Sequence, residues 1–327
     1  MTVAEWVPIW RAGVVDLRLS TLTRDDGYVE RYILPTFGSR RLSDIDHSAV
    51  KSWVAEMVTT GPVPWWDVTE EPKRKRRPLA AATVTTASQI LGKIMNAAVD
   101  AGRIKSSPCV GVKLPRIERE EMAFLTPAQI GSLADAIDPR YRAVVLLGAY
   151  GGLRAGELFG LRAGRVDVLR ARVDVVEILV EVSGHLHFGP PKTKAGRRAV
   201  SVPRIATDAL SEHLRSFPAG PGDLVFRSSE GEPTRLSNWR RRVWEPAVTA
   251  PKLGHLRPHD LRHTAVALWI AAGASPREIA VRAGHSSVVT VLDRYGHLLP
   301  GSEDRVNDAL DALAVATEDG TATITAI

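Results

Sequence analysis

The chain has 327 residues, 44% of them hydrophobic, which is enough to fill two packed cores and too apolar for a disordered chain. Its 43 Lys and Arg against 37 Asp and Glu leave a net charge of +6 and a pI near 9.6, a balance that suits a polyanionic partner. No apolar run reaches the length of a membrane span, the N-terminus lacks a charged-then-apolar leader, and the single Cys109 excludes an internal disulfide framework, so a cytoplasmic protein with no membrane partner is expected.

Residues 1–60 read as helical. Trp6, Ile9 and Trp10 recur at helical spacing, as do Tyr28, Tyr32 and Ile33, and these aromatics read as core. Thr21 and Thr23 offer N-caps, Pro35 with Gly38 is expected to break the second helix, and Ser43 or Asp46 to open a third with the stripe Trp53, Val54 and Met57. Residues 61–79, GPVPWWDVTEEPKRKRRPL, are too rich in proline for regular structure. The basic run Lys73–Arg77 reads first as a solvated loop, with contact to a nucleic-acid backbone as the sharper alternative. Helical patterning returns at Thr83–Asp100, where Val84, Ala87, Ile90, Leu91, Ile94 and Ala98 share a face and Gly102 stops the helix.

Residues 106–124 have two prolines, mixed charge and no periodicity, and make the best linker. Thr126-Pro127 then opens a helix, and an apolar helix from Tyr141 to Tyr150 ends at Gly151-Gly152. Between Val166 and Pro203 the period becomes two, predicting a small antiparallel sheet of about three strands, the last being Ala199–Val202. Helices follow at Ile205–Phe217, Arg235–Val248, Pro258–Ala272, Pro276–Ala283 and Val288–Tyr295, then a short amphipathic one at 303–313 before a polar end.

The chemistry concentrates between His255 and His297, which hold five of the nine histidines. In PHDLRHT, Pro258 in a first turn places His259 and Arg262 on one helix face, a pairing that can hold a phosphate and move a proton. His255, His259 and His263, four apart, also permit metal ligation, but no third-ligand pattern supports it and Arg262 would repel a cation. In AGHSSVVTVLDRYGH, Gly284 ends a helix, Ser286-Ser287 can cap the next, and His285 falls in the turn, with Tyr295 near the end of the helix that follows. A lone tyrosine there reads as packing. In GGLRAGELFGL, Arg154 starts a helix and Glu157, one turn on, reads as a structural partner rather than a base. PPKTKAGRR presents Lys192 and Lys194 beside a turn with Arg197 and Arg198 behind, and alone reads as a solvated loop.

Taken together, GLRAGEL, PKTKAGRR, HDLRHT, AGHSS and RYGH, in that order, resemble the tyrosine recombinases, the phage-integrase family, over nearly the whole chain. The resemblance implies a mainly α fold with a small antiparallel β-sheet (α+β). It divides the chain into a helical, SAM-like core-binding domain at 1–108, a linker at 109–124, a catalytic domain at 125–314 and a flexible tail at 315–327. It implies Tyr295 as the nucleophile that forms a 3′-phosphotyrosyl link, Arg154 and Arg262 on the non-bridging oxygens, and Lys192 as general acid, with Lys194 as its alternative. His259 becomes the proton acceptor near the nucleophile and His285 a further phosphate donor. Neither metal nor nucleotide is implied as cofactor.

The implied partners are double-stranded DNA, gripped by salt-sensitive backbone contacts, a homo-tetramer on paired DNA sites, and an accessory DNA-bending or directionality factor. The arm-site-binding module that many phage integrases carry ahead of this domain has no place before the first helix. That implies a simpler recombinase or a truncated prophage-type copy, and the tail helix is expected either on a neighbouring protomer or on its own domain. The alternatives to a recombinase are a DNA-binding protein without exchange activity and relaxation of the topoisomerase IB type.

Overall fold

Thr2 and Glu5 cap one another's backbone at the start of α1 (Val3–Ala12), so this helix begins without a frayed end. The computed structural model describes residues 1–15, 17–62, 76–118, 122–299, 307, 308, 310, 311 and 314. Most of the expected tail helix, of which 307, 308, 310 and 311 are described as helical, the 315–327 end and most of the proline-rich segment, including Trp65, Trp66 and Lys73–Lys75, lie outside the described residues. The chain forms two compact units, Met1–Glu121 and Met122–Ile327. Among the described residues no helix is long and apolar enough to cross a membrane.

The first unit is helical. After α1 come α2 (Leu19–Tyr28), α3 (Leu34–Phe37), α4 (His47–Thr59) and α5 (Ala81–Asp100). Asp46, one of the two expected caps, opens α4 by accepting from the Ala49 amide at 2.7 Å. Trp6, Trp53, Val54 and Met57 are buried with the predicted face of α5, and the Trp6 indole donates to the Ile94 carbonyl at 3.0 Å. Ile9 departs from the expectation and is exposed.

Pro35 does not break the second helix, which runs on to Phe37 and stops at Gly38 as expected. Residues Val29–Ile33 form a π turn between α2 and α3, in which the Leu34 amide bonds the Val29 carbonyl five residues back. Proline's ring would strike the carbonyl four residues before it, and the wider turn moves that group aside. The same device recurs in the second unit, where Arg240–Trp244 widens ahead of Pro246 and joins α10 (Leu236–Trp239) to α11 (Glu245–Thr249).

The second unit opens with α6 (Pro127–Ala136), capped by Thr126 and Gln129, then α7 (Arg142–Gly151) and the short α8 (Ala155–Phe159). Two antiparallel sheets replace the single one expected. One has the order β1 (Val166–Asp167), β2 (Arg172–Val175), β5 (Arg198–Ser201), and the other is the hairpin β3 (Ile178–Val182)–β4 (His185–Gly189). Helices α9 (Arg204–Ser216), α12 (Asp260–Ala271), α13 (Pro276–Ala283) and α14 (Val289–Tyr295) complete it. The fold is mainly helical with small antiparallel sheets.

Two helices centre this unit. Helix α7 is almost wholly apolar and buried, and α12 is buried on most of its circumference although it carries Asp260, Arg262 and His263. Gly148 lets them meet, since a Cβ there would stand 2.8 Å from the Leu261 side chain. Gly148→Val is expected to lower stability by about 1–3 kcal/mol through overpacking, visible as a reduced thermal midpoint of the purified protein.

Candidate active site

The chain stops α7 at Gly151-Gly152 and turns at once into α8, with Arg154 as its N-cap residue. The Arg154 amide donates to Glu157 Oε2 at 2.9 Å and its Nη1 to Oε1 at 2.8 Å, while the outer part of the guanidinium stays open. Glu157 is buried and serves a second arginine. Arg198 on β5 donates through Nη1 to Oε1 and through Nη2 to Oε2, both at 3.0 Å, and its Nε donates to the Arg282 carbonyl at 2.8 Å. Burial works against the Glu157 charge, but the Arg198 hydrogen bonds and charge, then those of Arg154, outweigh it and hold its carboxyl below the usual range. Glu157 is thus the structural partner expected, though its second partner comes from a strand.

Arg262 projects from α12 into the same region and is 3% exposed. Its Nη1 donates to the Gly152 carbonyl at 2.6 Å and its Nη2 to the Ala283 carbonyl at 2.5 Å. Among the described residues it has no ion-pair partner. Burial, then repulsion from Arg154, pushes its pKa down to about 9, so it remains cationic at neutral pH.

His259 stands at the N-terminus of α12 and His285 in the turn after α13, where Gly284 takes a left-handed conformation. Desolvation comes first in lowering both imidazoles to about 4. His263, Arg262 and Arg154 add to it at His259, and Arg262, Arg154, Arg294 and Arg198 at His285. The His259 side chain is nonetheless open to solvent on one side. The His285 Nδ1 is buried without a hydrogen-bond partner among the described residues.

Tyr295 closes α14 and is 2% exposed. Its hydroxyl lies 2.6 Å from Nδ1 of His263, and the two rings are 5.8 Å apart. Burial raises the phenol pKa, with Arg262 and Arg294 pulling it back.

The structure therefore gathers Arg154, His259, Arg262, His285 and Tyr295 into one electropositive region. Lys192 and Lys194 are not in it. Both are exposed in the connection from β4 to β5, and neither side chain makes a hydrogen bond or ion pair among the described residues. The connection is nonetheless seated beside the site, because a Cβ on Gly284 would lie 2.9 Å from the Ala195 carbonyl and 3.0 Å from Arg198. The histidine that meets the phenol is His263 rather than the expected His259. Its signal was the four-residue step from His259, which shares a helix face but was weighed only as metal spacing. Arg198, placed by the sequence only behind the lysine turn, also belongs to the site, and period two puts it on the face of the buried Val200.

Residues 123–301 match the phage integrase family. The chain belongs to that family. This integrase is 28% identical over 246 residues to the ICEBs1 integrase of Bacillus subtilis (strain 168), an alignment covering 72% of this chain and 67% of the relative. It is 24% identical over 323 residues to the integrase of Mycobacterium phage L5, covering 96% and 80%. In fold it is similar to the Tn1549 transposon integrase in complex with transposon right end DNA, with a TM-score of 0.75 at 20% identity over 96% of this chain and 100% of that one. A lambda integrase dimer bound to a COC′ core site gives 0.63 at 15% identity over 89% and 97%. The integrase is a tyrosine recombinase, a site-specific enzyme of phage and mobile elements.

Removing the shared carboxylate with Glu157→Ala leaves Arg198 buried and unpaired. It is expected to cost about 3–5 kcal/mol, measured by thermal or denaturant unfolding. The histidines set a pH dependence. An unfolded imidazole titrates near 6.5, whereas His259 and His285 do so at about 4 in the folded chain. Between those values the unfolded chain binds more protons, so their contribution is complete above about pH 6.5 and lost as pH falls toward 4. A thermal midpoint that drops over this window, less steeply in His259→Asn/His285→Asn, is the expected result.

Proposed function

We propose that the integrase cuts and rejoins duplex DNA through a 3′-phosphotyrosyl intermediate at Tyr295, with Arg154 and Arg262 on the non-bridging phosphate oxygens. The observation that carries this reading is the shared use of α12, which supplies Arg262 and also the histidine to which the Tyr295 hydroxyl is bonded. Arg262 is a buried cation with no ion-pair partner among the described residues, Arg154 leaves part of its guanidinium open, and the adjacent imidazoles are neutral. A phosphodiester would complete that charge balance, and in a dry site such donors stabilise the pentacoordinate transition state more strongly than in water. His285 and His259 serve as neutral donors to phosphate oxygens. Lys192 is the general acid for the 5′-oxygen, with Lys194 as its alternative, delivered as the β4–β5 connection folds over bound DNA.

Residues 1–108 act as the core-binding domain, 109–124 as the connection and 125–314 as the catalytic domain, closing on double-stranded DNA mainly through its backbone. The tail at 315–327 follows that domain. Exchange takes place in a homo-tetramer on paired sites, with an accessory factor giving direction. The lambda integrase tetramer bound to a Holliday junction, similar in fold at a TM-score of 0.60, supports that stoichiometry.

The test is a nicked suicide duplex built from inverted repeats flanking the coding sequence. A covalent protein–DNA adduct is expected with the wild type and none with Tyr295→Phe. Arg154→Ala and Arg262→Ala are each expected to slow adduct formation by about 10²–10³. An adduct that persists in Tyr295→Phe, or none from the wild type on any flanking repeat, overturns the reading.

A further inference from the structure

We propose that His263 is the general base that takes the phenolic proton of Tyr295, a role in which His259 has no part. The proposal rests on Tyr295 being the nucleophile. Nδ1 of His263 is 2.6 Å from the phenolic oxygen, and both side chains are buried, at 6% and 2% exposure. A proton leaving a phenol that little water reaches must pass to a neighbouring group, and His263 alone among the described side chains is hydrogen-bonded to it. For Nδ1 to accept, the ring must carry its own proton on Nε2.

The side chain of His259 makes no hydrogen bond among the described residues. It packs edge-on against His263, with ring centres 4.9 Å apart, and lies where Arg262 and Arg154 bear on it. The two histidines, one helical turn apart, thus divide the work: His259 faces the phosphate and His263 the nucleophile.

The surroundings of His263 fit a base. From its own helix and the residues before it come Asp260, already engaged by Arg257, together with Arg262 and His259, and from α14 come Arg294 and Tyr295. Burial first, then the surrounding arginines against Asp260, lowers its pKa and leaves it neutral and able to accept. A phosphate entering beside Arg262 brings negative charge that favours the imidazolium, so DNA itself promotes the transfer.

In the forward step the O–H bond of Tyr295 breaks and its proton goes to Nδ1. The phenolic oxygen bonds to phosphorus, the P–O5′ bond breaks, and the 5′-oxygen takes a proton from the separate acid. On rejoining, the 5′-hydroxyl attacks and gives up its proton to that acid's conjugate base, and His263 returns its proton to the phenol.

The experiment measures single-turnover adduct formation on the suicide duplex, with DNA binding followed by mobility shift. His263→Asn keeps an acceptor near Nδ1 but cannot hold the proton. It is expected to bind DNA like the wild type and to cleave about 10²-fold more slowly or worse. A more acidic phenol, 3-fluorotyrosine at position 295, should recover most of that loss, which a purely structural defect would not allow. In the chain that keeps His263, the rate should fall on the acid side of its pH profile. Cleavage by His263→Asn within about threefold of wild type, no recovery with fluorotyrosine, or a wild-type profile flat toward acid overturns the proposal. His259→Asn, assayed in parallel, should still show the acid-side fall; its disappearance there would return the role to His259. Failure of the wild type to form any adduct instead removes the Tyr295 reading, and this proposal with it.

Discussion

The second unit depends on how one buried guanidinium is satisfied. Arg262 sits in the middle of the packed core with no carboxylate bonded to it among the described residues, and its desolvation is met by two backbone carbonyls, one at the end of α7 and one at the end of α13. Those carbonyls belong to segments far apart in sequence, so the side chain joins three helices at a point. It also fixes where positive charge is exposed to a ligand.

Around that point the protein separates neutralised cations from available ones. Glu157 absorbs Arg198 completely and Arg154 in part, which keeps the cluster from repelling itself apart. Arg198 then ties β5 to the end of α13, and Gly284 lets the loop ahead of β5 settle against the turn that carries His285. Two sequence motifs more than eighty residues apart are thereby made into one wall of the site. The electrostatic strain concentrated there fits the pattern that functional groups stand where pKa values depart most from those in water.

Much of the helical framework could be read from periodicity and capping, because Thr126 and Asp46 act locally, the face of α5 repeats every three to four residues and α7 is a continuous apolar run. What escaped was set by tertiary geometry. Pro35 breaks a helix only if the turn before it is α-helical. Strand β4, His-Leu-His-Phe-Gly, is mostly exposed and its alternation spans only two apolar residues, so its pairing with β3 in a separate sheet left little trace. Within the site, the arginines, His285 and the tyrosine were found through motif order. His263 was visible as a letter in HDLRHT, but its use depends on α14 folding back onto α12, which no local pattern encodes.

The widened turns before Pro35 and Pro246 have an effect beyond tolerating a proline. Each places one more residue in a turn than an α-helix holds, and a residue is worth about 100° of rotation. Everything downstream is therefore rephased, and an apolar stripe drawn straight through such a helix would lose its alignment at the join. Phe37, which meets the Trp53 ring at 5.3 Å between centres, lies beyond the first of these joins. Its side chain owes its bearing to an added residue upstream, so excising one position from 29–33 would point the ring elsewhere even with every core residue retained.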